Sequence, residues 1–351
     1  MNICFVLPKF SRRINGGFKI IFEYANRLSE RGHNVKILFL NETSFLKYKI
    51  PRFVKKRAAN YLTQKEPMWF NLNSQIDKVS GYDKRKMECL NETYIYIATS
   101  ISTVDYVKNI NAKKAYFIQG YENWDKSDEY VCSSYQLGMK NIVISNWLEE
   151  IVNKYSKIPC EVIKNPIDTS IYRDKTPLSD RNKYSLAFLY HEQEQKGSKY
   201  VMEAISKLKL LYPDLLVYSF GTSKQPEEFP DYYNYYYCAS QDETVNIYNK
   251  VKVFMCGTID EGYGLTGLEA MACGTVLVST AYRGVYEYAI DKKNALLSPI
   301  RDVDALVDNV IKIFDDENLA NYLSKNGIDS VSSGFSWDNA VDKFEEVLKS
   351  I

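Results

Sequence analysis

The sequence predicts an α/β protein made of two doubly wound halves, each on a parallel sheet. Three observations carry this expectation. The chain has 351 residues, beyond the roughly 250–300 at which one hydrophobic core stops growing, so two domains are expected. Short apolar runs alternate with amphipathic helical stretches from the first residues on, and the alternation restarts near Tyr184. Between the two series lies EVIKNPIDTSIYRDKTPLSDRNKY, rich in turn formers and poor in helical period, which reads as a linker over about residues 160–180.

Taken in order, Ile3–Leu7 is a continuous apolar run, as in a parallel strand covered on both faces. A loop with Gly16-Gly17 follows, then a helix from about Phe18 to Glu30 with Phe18, Ile21, Phe22, Ala25 and Leu28 on one face. Gly32 stops this helix and Val35–Leu40 is the second strand, which completes a βαβ unit. Further strands are read at Thr93–Ala98, Lys114–Gln119 and Ile142–Ser145. In the second half, strands Tyr184–Tyr190, Leu215–Phe220, Tyr232–Ala239, Val251–Cys256 and Thr275–Ser279 alternate with helices Ser198–Tyr212, Glu243–Lys250 and Gly264–Cys273. The remainder reads as helix, at Val303–Asp315, Leu319–Ser324 and Asp338–Leu348. The tyrosines at 232–237 sit at strand spacing and read as a strand that fills a sheet.

Composition narrows the function classes. Forty-five Lys+Arg against 44 Asp+Glu leave a net charge of +1, which argues against a dedicated nucleic-acid binder. No apolar run approaches the ~20 residues of a membrane span, and MNICFVLPKF reads as a buried strand rather than a secretory leader. The seven cysteines are scattered without a CxxC pair, as core hydrophobes in a reducing cytoplasm would be. Two histidines are too few for a His-based metal or acid–base cluster, so no metal is expected.

Chemistry concentrates in CGTIDEGYGLTGLEAMACG, residues 256–274. A strand ends, a glycine-rich turn follows, and a helix begins near Leu265. Backbone N–H groups at such a helix start face an anion, with the helix dipole adding to the attraction. Gly262 and Gly264 let a phosphate approach the backbone. Glu261 in the loop and Glu269 about one turn inside the helix can look into one crevice, where carboxylates suit sugar or ribose hydroxyls. A capped helix with incidental glutamates is the alternative reading of the spacing alone.

This Glu-x7-Glu stretch closely resembles the donor-site signature of retaining, family 4 nucleotide-sugar glycosyltransferases of GT-B fold. NGGFKIIFEYANRLSERGHNV looks like that family's glycine loop and first helix, ISNWLEEIV with EVIKNPID like its interdomain passage, and GTVLVSTAYRGVYEYAIDKKNALL like its course after the signature, with Glu287 in the acidic position. AYFIQGYENW resembles transferases of bacterial surface-polysaccharide synthesis, some of which transfer rhamnose.

The resemblance implies two domains facing across a cleft. Residues 1–165 would be the acceptor-side domain, with 336–351 crossing back onto it, and residues 166–335 the nucleotide-sugar domain. It implies that Glu261 contacts donor-sugar hydroxyls and Glu269 the ribose. Gly262, Gly264 and the amides of Leu265 and Thr266, with Gly16 and Gly17 of the other domain, would hold the diphosphate. Lys196 in HEQEQKGSKY would neutralise the leaving diphosphate in place of a metal ion. Gln119, Glu122 and Trp124 would lie on the acceptor side. The implied partners are a nucleoside diphosphate sugar and a glycan or lipid-linked acceptor, with no further cofactor. One departure stands out: the family's Gly-Arg is here Tyr190-His191, and a histidine cannot form arginine's bidentate fork. His191 as a weaker phosphate contact, a substitute cation such as Lys199 or Arg12, and a non-catalytic subunit binding a glycan or partner transferase all stay open. The other histidine, His33, reads as structural.

Finally, FLKYKIPRFVKKRAANYL holds Lys47, Lys49, Arg52, Lys55, Lys56 and Arg57 with no acid and with interleaved apolar side chains. Such a surface at 45–57 suits anionic lipid, at about 1 kcal/mol per cation, and places the protein at the inner face of the cell membrane. A plain solvated basic face is the other reading.

Overall fold

The computed structural model describes residues 1–45, 49–124 and 126–351. Leu46, Lys47 and Tyr48 of the basic segment lie outside the described residues. The chain divides into two compact units, Met1–Lys164 with Asp338–Ile351, and Asn165–Trp337.

In the first unit the elements are β1 (Asn2–Leu7), α1 (Gly16–Glu30), β2 (Asn34–Phe39), α2 (Arg52–Lys65), β3 (Asp77–Ser80), α3 (Lys84–Glu88), β4 (Tyr94–Ala98), α4 (Ile101–Val107), β5 (Lys114–Ile118), α5 (Asp128–Ser134), β6 (Lys140–Val143), α6 (Asn146–Tyr155) and β7 (Glu161–Val162). The strands form one parallel sheet in the order β3-β2-β1-β4-β5-β6-β7. β1 is central, and Ile3 to Leu7 are all buried, which is why the strand reads as an unbroken apolar run.

In the second unit follow β8 (Ser185–Leu189), α7 (Ser198–Leu211), β9 (Leu216–Gly221), β10 (Tyr233–Tyr237), α8 (Gln241–Lys250), β11 (Val253–Cys256), α9 (Leu265–Ala272), β12 (Val276–Thr280), β13 (Ala295–Ser298), α10 (Val303–Asp315) and α11 (Glu317–Gly334). The parallel order is β10-β9-β8-β11-β12-β13. Strand order reverses between β1 and β4 in one sheet and between β8 and β11 in the other. At such a switch point the crevice outside the strand carboxyl ends is open to a ligand.

The last helix, α12 (Trp337–Ser350), joins the first unit at its far end. Phe344 is fully buried against Phe5, Tyr24 and Phe117, at ring-centroid distances of 6.2, 4.5 and 5.7 Å. Arg31, just past the end of α1, reaches Asp342 at 2.6 Å and Glu345 at 3.3 Å. His33 lies 3.2 Å from Glu345, with its other ring nitrogen 3.0 Å from the Met1 amine, so it ties the start of β1 to α12.

Some boundaries differ from those expected. Gly16 and Gly17 are not a loop but the first turn of α1, because the Asn15 side chain accepts the Phe18 N–H and caps the helix two residues earlier. The tyrosine strand is an edge strand and ends at Tyr237, where Cys238 takes φ 51°. α11 is far longer than the expected Leu319–Ser324. β3, β7 and β13 are short strands missing from the sequence reading, and β7 lies inside the stretch read as linker.

Candidate functional site

The second unit gathers its chemistry at the carboxyl ends of β8 and β11, the neighbouring strands of the switch point. After β8 the chain runs through His191 to a short turn ending in Lys196, and Gly197 caps it with φ 64°. After β11 it runs through Gly257 to Glu261. The two loops touch backbone to backbone: a Cβ on Gly197 would sit 1.8 Å from the Gly257 carbonyl oxygen. The Gln195 carbonyl accepts the Ile259 N–H at 2.8 Å. This contact brings the Lys196 ammonium to 2.6 Å from a Glu261 carboxylate oxygen, with both side chains about a quarter exposed.

His191 is half-buried beside them. Its backbone N–H donates to Ser198 Oγ at 2.9 Å and its Nδ1 accepts the Gln193 N–H at 3.0 Å. That leaves the proton of the neutral ring on Nε2. Burial first, and then the Lys196 cation, hold its pKa below the usual imidazole range, against an opposing pull from Glu192 and Glu261. At pH 7 the ring is neutral and can donate one hydrogen bond. Of the other cations considered, Lys199 pairs with Glu194 at 3.1 Å, and Arg12 belongs to the first unit, 3.9 Å from Glu66.

The glycine turn leads directly into α9. Gly264 caps it with φ 93°, a conformation that favours glycine, and a Cβ there would lie 1.9 Å from the Tyr282 hydroxyl. Tyr288 donates its hydroxyl to the Gly264 carbonyl at 2.8 Å, and the Tyr282 and Tyr288 hydroxyls meet at 2.9 Å. Both phenols are fully buried, and burial drives their pKa far up, so they stay protonated. The Arg283 guanidinium holds Asp260 by two nitrogens at 2.8 to 3.2 Å, which fixes the loop from its other side. The N–H groups of Leu265 and Thr266 head α9, where the helical ladder supplies no acceptor. Glu269, further along α9, receives the Tyr248 hydroxyl on Oε2 at 3.2 Å. Gly262 is half-buried and Glu287 is buried.

Among the expected site residues, then, Lys196, Glu261 and His191 come together in one cluster, and the N-terminus of α9 adjoins Glu261 in the same loop. A cation, a carboxylate, a neutral donor and helix-start amides suit an anionic ligand that also carries hydroxyl groups. Sequence reading missed Tyr248, Tyr282, Tyr288 and the Asp260–Arg283 pair. Only the Gly257 beside the signature hinted at the close loop contact.

The first unit holds the remaining expected residues. A Cβ on Gly17 would lie 3.4 Å from both the Asn15 and the Gln119 side-chain amides, so these three pack at the start of α1. Trp124 is 64% exposed. Glu122 accepts the Ile101 N–H at 2.5 Å at the start of α4, and burial pushes its pKa up to about 7. The neutral form is therefore favoured by folding. Its contribution is fully present below the ordinary glutamate range near 4.5 and is lost as pH rises through about 7. Glu122→Gln keeps the acceptor and cannot ionise. Relative to wild type it should gain about 2–3 kcal/mol between pH 5 and pH 8, measured by denaturant unfolding at both pH values. A constant difference across that range would show that Glu122 titrates normally.

Residues 171–330 match the family model for glycosyl transferases group 1. Two uncharacterized glycosyltransferases of Methanocaldococcus jannaschii are similar: MJ1178 is 28% identical over only 32% of this chain and 32% of its own length. MJ1607 is 22% identical over 99% of this chain and 98% of its own. The serotype-specific mannosyltransferase WbdA of Escherichia coli is 26% identical over 51% of this chain and 23% of its own length. Among solved structures, Anabaena HepE in complex with UDP-glucose superposes with a TM-score of 0.76 at 12% identity, over 100% of both chains.

Proposed function

We propose, from the match of residues 171–330 to glycosyl transferases group 1 and from the GT-B fold, a retaining enzyme that moves a sugar from a nucleoside diphosphate sugar to an acceptor hydroxyl, in the making of a surface polysaccharide or related glycan. The observation that carries this reading is the Lys196–Glu261 pair at the β8/β11 switch point, next to the amides that open α9. The mannosyltransferase name of WbdA and the UDP-glucose in HepE support the glycan and donor classes.

Each residue then has a task. The Leu265 and Thr266 amides and the Lys196 ammonium meet the diphosphate, and the negative charge that grows on it as the sugar departs is balanced by groups already in place. Glu261 holds donor-sugar hydroxyls, and Glu269, aimed by Tyr248, holds the ribose. The departing phosphate oxygen helps take the acceptor proton on the same face of the sugar, so configuration is kept and no side-chain base is needed. Lys196 fills the place of a divalent ion, and turnover should persist in EDTA. The test is a panel of nucleotide sugars, deoxyhexose donors such as rhamnose included, with the product anomer read by NMR. Inversion would refute retention. Absence of both transfer and nucleotide binding would favour a glycan-binding subunit, a reading that the neutral His191 supports.

His191→Arg adds a permanent charge and a two-pronged donor beside Lys196. It should tighten UDP binding by about 1–2 kcal/mol, roughly 5- to 30-fold by calorimetry. Weaker binding would mean that position 191 does not face the diphosphate.

We also propose that the surface of α2 attaches to anionic lipid. Arg52, Lys56 and Arg57 are exposed, and Phe53 is 73% exposed among them. Replacing Lys55, Lys56 and Arg57 with Glu should abolish sedimentation with anionic vesicles, and undiminished sedimentation would count against it. Among the described residues no helix is long and apolar enough to cross a membrane.

A further inference from the structure

The first unit holds a cavity of about 500 Å³ beside α2, to which the roles above assign no ligand although Arg52 and Lys55 of its wall belong to the basic helix. That volume is within the range of small-molecule sites. It opens beside Leu40 and Gly81, the residues that directly follow β2 and β3. It therefore lies outside the carboxyl ends of two parallel strands, the end of an open α/β sheet where ligands bind. Its wall is of two kinds. Arg52 and Lys55, three residues apart on one side of α2, supply two cations, while Ile50, Met87, Tyr82 and Tyr106 supply apolar and aromatic surface. Among the described residues no carboxylate lines it, and neither Arg52 nor Lys55 has an ion-pair partner. Elsewhere in this unit cations in reach of acids do pair with them, as Lys36 and Lys86 do with Asp77 at 3.5 and 2.6 Å. Burial pushes the Tyr106 phenol up to about 12, so it stays a hydrogen-bond donor across the physiological range.

We infer that this cavity binds a phosphorylated amphiphile, a phosphate ester whose anion meets Arg52 and Lys55 and whose apolar portion lies on Ile50, Met87 and the two tyrosines. Two adjacent cations without a carboxylate favour an anion of more than one charge, and an arginine fork suits phosphate oxygens. The apolar wall has no use for inorganic phosphate, and the cations are wasted on a neutral alkyl chain. That this ligand is the acceptor or its lipid anchor rests on the transfer reading; its binding does not.

The experiment titrates the full chain, without nucleotide sugar, by calorimetry with decyl phosphate below its micelle concentration, inorganic phosphate and decyl glucoside. Decyl phosphate should bind saturably, one per chain, with inorganic phosphate and decyl glucoside each at least tenfold weaker. Arg52→Gln with Lys55→Gln should lose at least tenfold in affinity. Met87→Trp, which narrows the cavity and keeps both cations, should lose as much. Lys154→Gln with Lys157→Gln, two exposed cations of the same unit that do not line this cavity, should change nothing. Melting temperatures establish that each variant is folded, and the exposed Arg52 and half-buried Lys55 can be replaced without opening a core. Absence of saturable binding overturns the inference. So does inorganic phosphate binding as tightly as decyl phosphate, which would make this a free-phosphate site. Equal losses in the two paired variants, or no loss in Met87→Trp, would show general attraction to basic surface and no cavity site. Failure of glycosyl transfer with decyl phosphate still bound would reject the transfer reading alone.

Discussion

Glu261→Gln should lower turnover about 10- to 1000-fold, or roughly 1.4–4 kcal/mol of barrier, while binding of bare nucleoside diphosphate holds or tightens. In the role proposed for Glu261, the amide keeps the shape of the side chain but would weaken hydrogen bonds to sugar hydroxyls that strengthen as the sugar gains positive character. The direction of the binding change follows from the 2.6 Å pair with Lys196. Without the carboxylate the ammonium is no longer neutralised, and it meets the diphosphate as a full charge. Glu269→Ala should behave differently, weakening sugar nucleotide and bare diphosphate alike, because both carry the ribose. Steady-state kinetics and calorimetry with UDP separate the two, after thermal melting has shown both variants folded. If Glu261→Gln abolished UDP binding and Glu269→Ala left it intact, the two roles would be reversed.

Arg181→Met should be the most destabilising single change in the second unit, by about 3–5 kcal/mol. The Arg181 side chain is fully buried, and its nitrogens donate to the carbonyls of Thr176, Tyr248, Val251 and Cys273, to Thr275 Oγ1, and to Asp174 at 2.9 Å. Methionine fills much of the volume but strands the Val251 and Cys273 carbonyls and takes the guanidinium from Asp174, which is a third exposed. A loss of this size lowers the melting temperature by about 6–20 °C, read by circular dichroism. Arg181→Lys keeps the charge without the planar fork and should fall between. A shift of only a degree or two for Arg181→Met would mean that water replaces the guanidinium at little cost.

What the sequence made legible follows from which interactions are local. Val303–Asp315 has the expected ends because Asp302 caps it and its apolar side repeats cleanly, with Val303, Leu306, Val307, Val310, Ile313 and Phe314 buried. Gly327, Gly334 and several serines weaken the helical signal of α11, so its pattern shows only at Leu319–Ser324. What sustains it is tertiary: Ala320, Leu323, Gly327 and Val331 are buried, and Gly327 lies beside Met271 of α9. β3 and β13 have four residues each, too few for a period to show. At the site, Glu-x7-Glu was visible because one loop and one helix carry it. The Lys196–Glu261 pair was not, since it depends on two glycines from separate loops meeting in space. Nor was Tyr248, whose only mark in the sequence is another tyrosine among 29.

The place of Phe344 has a consequence for how the protein is made. Its ring covers Phe5, Tyr24 and Phe117, so the first unit contains both β1 and α12. On the ribosome, at about 5–20 residues per second, the intervening stretch Asn165–Trp337 takes roughly 9–35 s. The second unit therefore has all its residues available before the first does. The nascent amino-terminal half waits with an uncovered aromatic face until α12 has been made. Phe344→Asp would therefore leave intact the residues that carry the candidate chemistry and unseat the half that was translated first.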